Sequence, residues 1–484
     1  MTTLSESATP TVVNTTSITT INPATGEVLT SYPVSGDAGI DAAITTSAAA
    51  QVDWANLDLP TRGKVLTESA AVLRRRVEEL ALLITREMGK PLLESRAEVE
   101  KCAWACEYYA QHAADFLADE VVATGADRSW ISYEPVGLVL AVMPWNFPLW
   151  QVFRFAAPAL MAGNGALLKH SPNTTGCALA VADVLAEAGA PDGLFAALLV
   201  AEPDVPATTA RIIADPRIGA VTVTGSERAG VGVAVAAGKA IKKSVLELGG
   251  SDPFVVLADA DLPRTAKLAA KARFLNAGQS CISAKRFIVE QAVAEEFTDL
   301  FVAAVNELTI GDPELDGIDI GPMARADLVD GIDKQVQASI AAGARVLAGA
   351  HRIDRPGNYY SPTVLADAKP GMPIYDQETF GPVAAVITVA DVDEAVRVAN
   401  DTEFGLAGSV WTSDLDKGIA VGKRINSGAL FINSVVASDV RMPFGGTRRS
   451  GYGRELAQAG IREFVNTRTF VLNNEPPAEA PTSE

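Results

Sequence analysis

Gly137-Leu138-Val139-Leu140-Ala141-Val142-Met143 runs directly into Pro144-Trp145-Asn146-Phe147-Pro148, and an apolar stretch around Phe153–Met161 follows. A continuous apolar run of this length predicts a strand buried on both faces. The two prolines close it into a loop, and the apolar residues beyond predict a helix lying against it. Shorter runs of the same kind recur at Ala166–Lys169, Phe195–Leu199, Ala220–Val223 and Ser244–Leu248, separated by helical stretches with Gly or Pro at the joints. Alternation of this sort predicts an α/β fold with a parallel sheet covered by helices. A second series begins after Gly249-Gly250, with runs at Phe254–Leu257, Arg286–Val289, Val383–Val389 and Gly428–Ile432. Upstream, Ala43–Glu120 is helical in pattern, as in Val65–Leu83 and Ala97–Phe116, where apolar residues recur three and four apart. No fixed-period repeat and no long linker appears, so a cleft between the two α/β layers is expected.

The chain has 484 residues, 48% of them hydrophobic and 20% charged, the balance of a globular enzyme too large for a single core. A formal charge of -19 opposes general affinity for nucleic-acid phosphates or anionic lipid, so an anionic substrate needs a local cation. Four cysteines, at 102, 106, 177 and 281, have neither zinc spacing nor the density of a disulfide scaffold. With no signal-peptide pattern and no apolar window of the ~18 residues that span a bilayer, a cytoplasmic protein that does not enter membranes is expected. Residues 1–18 and 475–484 are polar and predicted to be solvated tails.

Cys281 closes Asn276-Ala277-Gly278-Gln279-Ser280-Cys281, where small residues let a thiol approach a reacting carbon closely. A free cysteine is more often an inert buried hydrophobe, so its neighbours have to decide. A Cys/His hydrolase is one alternative, but His112, His170 and His351 stand in no recognisable context for it. Glu247 sits in an apolar strand end before two glycines, a setting that raises a carboxylate's pKa and suits a general base as well as a paired structural group. Asn146, in the loop after the first strand, has an amide able to hold an oxyanion, or is simply a turn residue. Lys169 ends another strand. Thr224-Gly225-Ser226, with Gly230, follows a strand and opens a helix whose N-terminus suits a pyrophosphate. Gly-x-Gly-x-x-Gly is absent.

Taken in order, Pro144-Trp145-Asn146-Phe147-Pro148, Glu247-Leu248-Gly249-Gly250, Gly278-Gln279-Ser280-Cys281, Glu378-Thr379-Phe380-Gly381-Pro382 and Pro443-Phe444-Gly445-Gly446 resemble the aldehyde dehydrogenase superfamily, from about Ile21 to Val471. The resemblance implies a Rossmann-type cofactor domain (19–119 and 137–248), an α/β catalytic domain (249–440) and a small β oligomerisation arm (120–136 and 464–472). It implies Cys281 as nucleophile, Glu247 as general base, and the Asn146 amide with the Cys281 N–H as oxyanion hole. Oxidation then runs through a thiohemiacetal and a thioester, with no metal. Pro144, Trp145, Lys169, Ser171, Pro172, Gly225, Ser226, Gly230, Leu248, Glu378 and Phe380 are the implied contacts to NAD or NADP, and a homodimer or homotetramer is the implied assembly.

Within the superfamily, Leu168–Asn173, Met143–Trp150 and Glu247–Phe254 look most like bacterial succinate-semialdehyde dehydrogenases. Arg154 is similar to their carboxylate-binding arginine, a role that suits a guanidinium fork, although an ion pair within a helix layer is the plainer role. Two positions depart from some relatives: Leu275 replaces an arginine six residues before the nucleophile, and Ser283 replaces a cysteine two residues after it. Pro172 stands where NAD-preferring relatives often carry a glutamate, which permits NADP+ without forbidding NAD+. Trp150 and Phe444 are taken as core by default. Three rivals remain: a broad-specificity aldehyde dehydrogenase, a CoA-acylating enzyme disfavoured by Glu247, and a silent binding protein of the same fold.

Overall fold

The computed structural model describes residues 16–474. The predicted tail at 475–484 lies outside them, and so does most of the one at 1–18. The N-terminal expectation ran two residues too far: Ser17–Ile21 forms strand β1, with Ile18 buried, and pairs antiparallel with β2 (Val28–Pro33). Four helices follow, α1 (Gly36–Ala55), α2 (Leu59–Arg75), α3 (Val77–Met88) and α4 (Leu92–Phe116). The continuous helical pattern at Val65–Leu83 is thus two helices, parted at Arg76, whose guanidinium bonds Glu79 and Glu187. Helix α2 starts where Asp58 accepts from the Thr61 N–H, an N-cap that satisfies an otherwise unpaired donor.

The short strands β3 (Glu120–Val121) and β4 (Arg128–Pro135) lead into β5 (Leu138–Met143). Helix α5 (Trp150–Met161) follows and is buried at every residue, so it is a core helix rather than an amphipathic one. The chain then alternates through β6 (Gly165–His170), α6 (Thr175–Glu187), β7 (Phe195–Ala197), α7 (Val205–Ala214), β8 (Ile218–Thr224), α8 (Glu227–Ala240) and β9 (Lys243–Glu247). Strands β5 to β9 are parallel in the order β9-β8-β5-β6-β7. The direction of winding reverses between β5 and β8, and a ligand crevice opens beyond the carboxyl ends of strands at such a reversal. One face of this sheet packs with Trp54, Leu66, Phe153 and Leu185, the other with Ile40, Ile44, Ile212 and Val233.

The second layer runs through β10 (Pro253–Val256), α9 (Leu262–Phe274), β11 (Arg286–Glu290), α10 (Ala294–Asn306), α11 (Ala326–Ala341), β12 (Arg345–Ala348), β13 (Thr363–Ala366), β14 (Val383–Val389), β15 (Ala407–Trp411) and β16 (Ala429–Ile432). Its seven-stranded sheet is ordered β12-β13-β14-β11-β10-β15-β16, parallel except for β12. Past residue 440 the chain returns to the first layer: β17 (Gly451–Tyr452) adds antiparallel to β9 as the outer strand of that sheet. The last strand, β18 (Val465–Leu472), pairs with β4 along its whole length, and β18-β4-β3 stand as a separate three-stranded arm. Among the described residues no helix is long and apolar enough to cross a membrane.

Candidate active site

Because β5, β6, β8 and β9 are parallel and adjacent, the segments that leave their carboxyl ends share one edge of the sheet: Pro144–Pro148, His170–Pro172, Thr224–Ser226 and Leu248–Gly250. The Pro144–Pro148 loop is held from two sides. Buried His170, its ring driven to a pKa of about 4 by burial and so neutral, donates through Nε2 to the Pro148 carbonyl at 2.9 Å. The Glu98 carboxylate on α4 accepts from the Leu149 and Trp150 N–H groups at 2.9 and 3.0 Å, filling the N-terminus of α5, and it forms a wholly buried ion pair with Lys90. Asn146 is thereby fixed. Its Nδ2 donates to the Gln279 carbonyl at 3.0 Å, while the Asn276 amide donates to the Asn146 carbonyl at 2.9 Å, so this loop and the Cys281 loop are tied to each other.

Cys281 follows α9 on a turn in which Asn276 and Ala277 both adopt left-handed backbone, at φ 53° and 52°. Non-glycine residues adopt that conformation only when their surroundings impose it. Three side chains hold this loop, with Arg273 and Lys285 fully buried. Glu94 accepts from the Asn276 N–H at 2.9 Å. Arg273 donates to the Val383 carbonyl at 2.6 Å, the Thr379 carbonyl at 2.8 Å and the Ser283 hydroxyl at 2.7 Å. Lys285 donates to the carbonyls of Cys281 at 2.7 Å and Ser280 at 3.1 Å, and lies 3.5 Å from Glu378. Ser283 is therefore a structural hydroxyl.

The Cys281 thiol is half-buried in a cavity of about 370 Å³ that Trp150, Arg154, Leu275, Ser283 and Phe444 also line. Trp150 and Phe444, expected as plain core, are buried and form part of this wall. Burial pushes the thiol up to about 12, with Arg154 and Lys285 pulling the other way. Glu247 ends β9, is 2% exposed, and neither carboxylate oxygen has a hydrogen-bond partner. Burial first, and the Glu455 carboxyl second, hold it well above the ordinary carboxylate range. The strand end it begins reaches Cys281, since a Cβ on Gly250 would stand 3.0 Å from the Cys281 carbonyl. Arg154 lines the cavity, yet its guanidinium is ion-paired with Glu455, donates to the Thr224 hydroxyl at 3.2 Å and lies 4.9 Å from the Phe444 ring centre. Of the two roles weighed for Arg154, the ion pair is the one formed in the structure.

The expected dinucleotide contacts divide into two groups. Lys169 is buried, its pKa pushed down to about 8 by that burial, with Glu202 the one carboxylate acting on it. Ser226 caps α8, accepting from the Ala229 N–H, and a Cβ on Gly230 would strike Leu248 at 2.5 Å, so the helix N-terminus lies tight against the strand end. Ser171 donates to Asn173, and Pro172 begins a single helical turn. On the other side, Glu378 accepts from the Gly250 N–H at 3.0 Å, and Phe380 meets Trp145 edge to face at 5.7 Å. Both Glu378 and Phe380 border a second cleft, about 480 Å³, against α11.

Residues 11–470 match the model of the aldehyde dehydrogenase family. The chain belongs to that family. It is 50% identical over 452 residues to a probable succinate-semialdehyde dehydrogenase (NADP+) of Synechocystis, covering 93% of this chain and 99% of the relative. It is 47% identical over 449 residues to an Escherichia coli K12 succinate semialdehyde dehydrogenase (NAD(P)+), covering 93% and 96%. Among solved structures, succinic semialdehyde dehydrogenase from Streptococcus pyogenes, in complex with NADP+, superposes with a TM-score of 0.91 at 36% identity, covering 94% of this chain and all of that one. In this aldehyde dehydrogenase, sequence reasoning missed Glu98, Arg273, Lys285 and Glu455, which act by holding other groups. The adjacent cations Lys285-Arg286 at the mouth of an apolar strand were a signal, since charge is rarely buried without a task.

Proposed function

We propose that the chain oxidises succinate semialdehyde, or a similar short carboxyl-bearing aldehyde, to the acid with NADP+ or NAD+ through a thiohemiacetal and thioester on Cys281. The observation that carries this reading is Cys281 standing in one cavity with Arg154, in a chain half-identical to relatives named for that substrate. Cys281 is the nucleophile in this reading. Its thiol rests protonated, so attack requires a base, and the Glu247 carboxyl, raised by burial and anchored by no hydrogen bond, is the group assigned to it. The same group activates the water that hydrolyses the thioester. The Asn146 amide, held by one hydrogen to Gln279 and with its second hydrogen free, joins the Cys281 N–H to stabilise the oxyanion.

The residues present fit a dinucleotide. Lys169, with no strong carboxylate partner, and the capped N-terminus of α8 at Gly225 and Ser226 suit its phosphates, and Gly230 and Leu248 pack to bring that helix close. Pro144, Trp145, Ser171, Pro172, Glu378 and Phe380 complete the surface that would hold it. When bound, the nicotinamide supplies the acceptor for the electron pair that leaves the aldehyde carbon. In this assignment 19–119 and 137–248 form the cofactor domain, 249–440 the catalytic domain, and 120–136 with 464–472 an oligomerisation arm for a cytosolic homodimer or homotetramer.

Steady-state formation of reduced nicotinamide from succinate semialdehyde, propanal and benzaldehyde, each with NAD+ and NADP+, tests the assignment. Succinate semialdehyde should give the highest kcat/KM. Equal rates on all three aldehydes would leave a broad-specificity dehydrogenase and remove the narrower substrate.

A further inference from the structure

Attack by Cys281 places negative charge on the aldehyde oxygen, and the reading above meets that charge with the Asn146 amide and the Cys281 N–H. A backbone N–H stabilises such a charge well only if its peptide plane is already held in the right direction. Cys281 lies in an irregular turn between α9 and β11, where no helix or strand ladder fixes that plane.

The hydrogen bonds around the turn are one-sided. The Gln279 carbonyl accepts from the Asn146 and Asn276 amides, the Ser280 carbonyl from Lys285 at 3.1 Å and the Ser283 N–H at 3.3 Å, and the Cys281 carbonyl from Lys285 at 2.7 Å. The N–H groups of Ser280, Cys281 and Ile282 have no acceptor among the described residues. These three residues line the cavity, whereas Lys285 is buried and lines neither cleft. The Ser280 carbonyl and the Cys281 N–H belong to one trans peptide, in which they point in opposite directions. A cation that draws the carbonyl toward the buried side therefore turns the N–H toward the cavity.

Lys285 is rigid enough to do this. Its N–H donates to the Asp252 carbonyl at 3.1 Å and its carbonyl accepts from the Ala385 N–H at 3.0 Å, so the sheet holds its backbone on both sides. Its Nζ reaches three loop carbonyls, those of Ser280, Cys281 and, at 3.3 Å, Ser283. An ammonium has a donor for each, and a neutral amine does not. Glu378 at 3.5 Å and the Asp252 carboxyl offset the cost of burying the charge.

We propose that Lys285 is a positioning residue of the oxyanion site: holding the Ser280 and Cys281 carbonyls from behind, it aims the Cys281 N–H at the aldehyde oxygen and, as a cation on the far end of the same amide, strengthens that donor. This rests on the functional reading above and names the group that builds half of its oxyanion site.

The test compares two reactions of the Cys281 thiol that need no nicotinamide, each followed at Cys281 by peptide mass. Iodoacetamide forms a C–S bond at a saturated carbon and expels iodide, with no oxyanion. Para-nitrophenyl acetate forms a C–S bond at a carbonyl, passes through an oxyanion and expels para-nitrophenolate; in both reactions the thiol proton passes to Glu247 or solvent. Lys285→Met keeps the stem and removes the ammonium. Alkylation should slow, because the thiol loses one of the two cations that favour its thiolate. Acylation should slow about ten- to a hundredfold further, somewhat less than the ~10²–10³ of a donor removed outright. Asn146→Ala, which removes the other donor, should lower the ratio of acylation to alkylation by itself. An unchanged ratio in Lys285→Met overturns the inference, and the same result in Asn146→Ala as well overturns the oxyanion reading on which it rests. Ser280-Cys281 is the one Ser-Cys step in the sequence, so serine labelled at its carbonyl carbon and cysteine at its amide nitrogen give a single peptide signal by NMR in the wild type. A cation on that carbonyl draws electron density from its carbon, and the Ser280 signal should lie downfield of the ordinary serine range. A signal inside that range overturns the inference even where the variant fails to fold.

Discussion

At the level of single residues the proposed assignment separates the groups that would meet the reacting carbon from the groups that hold them. Cys281, Glu247 and Asn146 were picked out in the sequence by short motifs: Asn146 between two prolines after an apolar strand, Glu247 at a strand end before two glycines, and Cys281 in a run of small residues. What was not legible is the state each is in: a thiol at about 12, a carboxyl with no hydrogen bond, an amide committed to Gln279 by one hydrogen. Those states set distinct expectations. Glu247 is assigned to both thiol attack and thioester hydrolysis, so Glu247→Gln should slow both: rapid mixing should show a slowed first turnover of reduced nicotinamide, and intact-mass measurement should find acylated enzyme only on prolonged incubation. Cys281→Ala should show neither. If Glu247→Gln turns over as fast as the wild type, the base is elsewhere. Asn146→Ala should lower kcat by about 10²–10³, the cost of one oxyanion donor, with a smaller change in KM.

Among the elements, α5 is the one whose position decides the chemistry, because its first turn carries the Asn146 loop and its second carries Arg154. The apolar run and prolines before it were readable as strand, loop and helix. The reason that the helix begins where it does was not, since Glu98 lies 51 residues upstream of Leu149, the first backbone N–H it receives. Other elements escaped for comparable reasons. Strand β15, Ala407-Gly408-Ser409-Val410-Trp411, lies between β10 and β16 inside the second sheet, yet is too small and polar to register as an apolar run. Its Gly408 packs on Pro253, an arrangement only the folded neighbours reveal. The left-handed pair Asn276-Ala277 has no glycine to announce it. Glu98→Gln should destabilise the protein by about 3–5 kcal/mol, because Lys90 is left buried without its counter-charge. It should also lower kcat by loosening the Asn146 loop. Adding Lys90→Met should restore a large part of the stability, measured by denaturant midpoint. If the double variant is no more stable than Glu98→Gln alone, the carboxylate's bonds to α5, not the ion pair, dominate.

For the whole molecule, two α/β layers supply the site and the ends of the chain bind them together. The return of β17 to β9 brings Glu455 under Arg154, so the first layer is incomplete without residues far beyond the second. The final strand then leaves the body to pair with β4 in the arm, eight residues against eight. That arm is small for independent stability and carries apolar side chains in the open, with Val121 75%, Val471 60% and Leu472 43% exposed. An exposed edge strand of this kind is a template for further pairing, and soluble proteins normally cover or charge it. Association through the arm follows as the expectation. Val471→Asp with Leu472→Asp alters only side chains that are open in the single chain, so the fold and the melting of each subunit should change little. Light scattering should show the mass fall from a multiple of the chain to one chain if the arm is the contact. A mass that stays at the multiple would move the contact to another surface, and a wild type that already scatters as one chain would leave the arm's apolar edge without the partner argued for it.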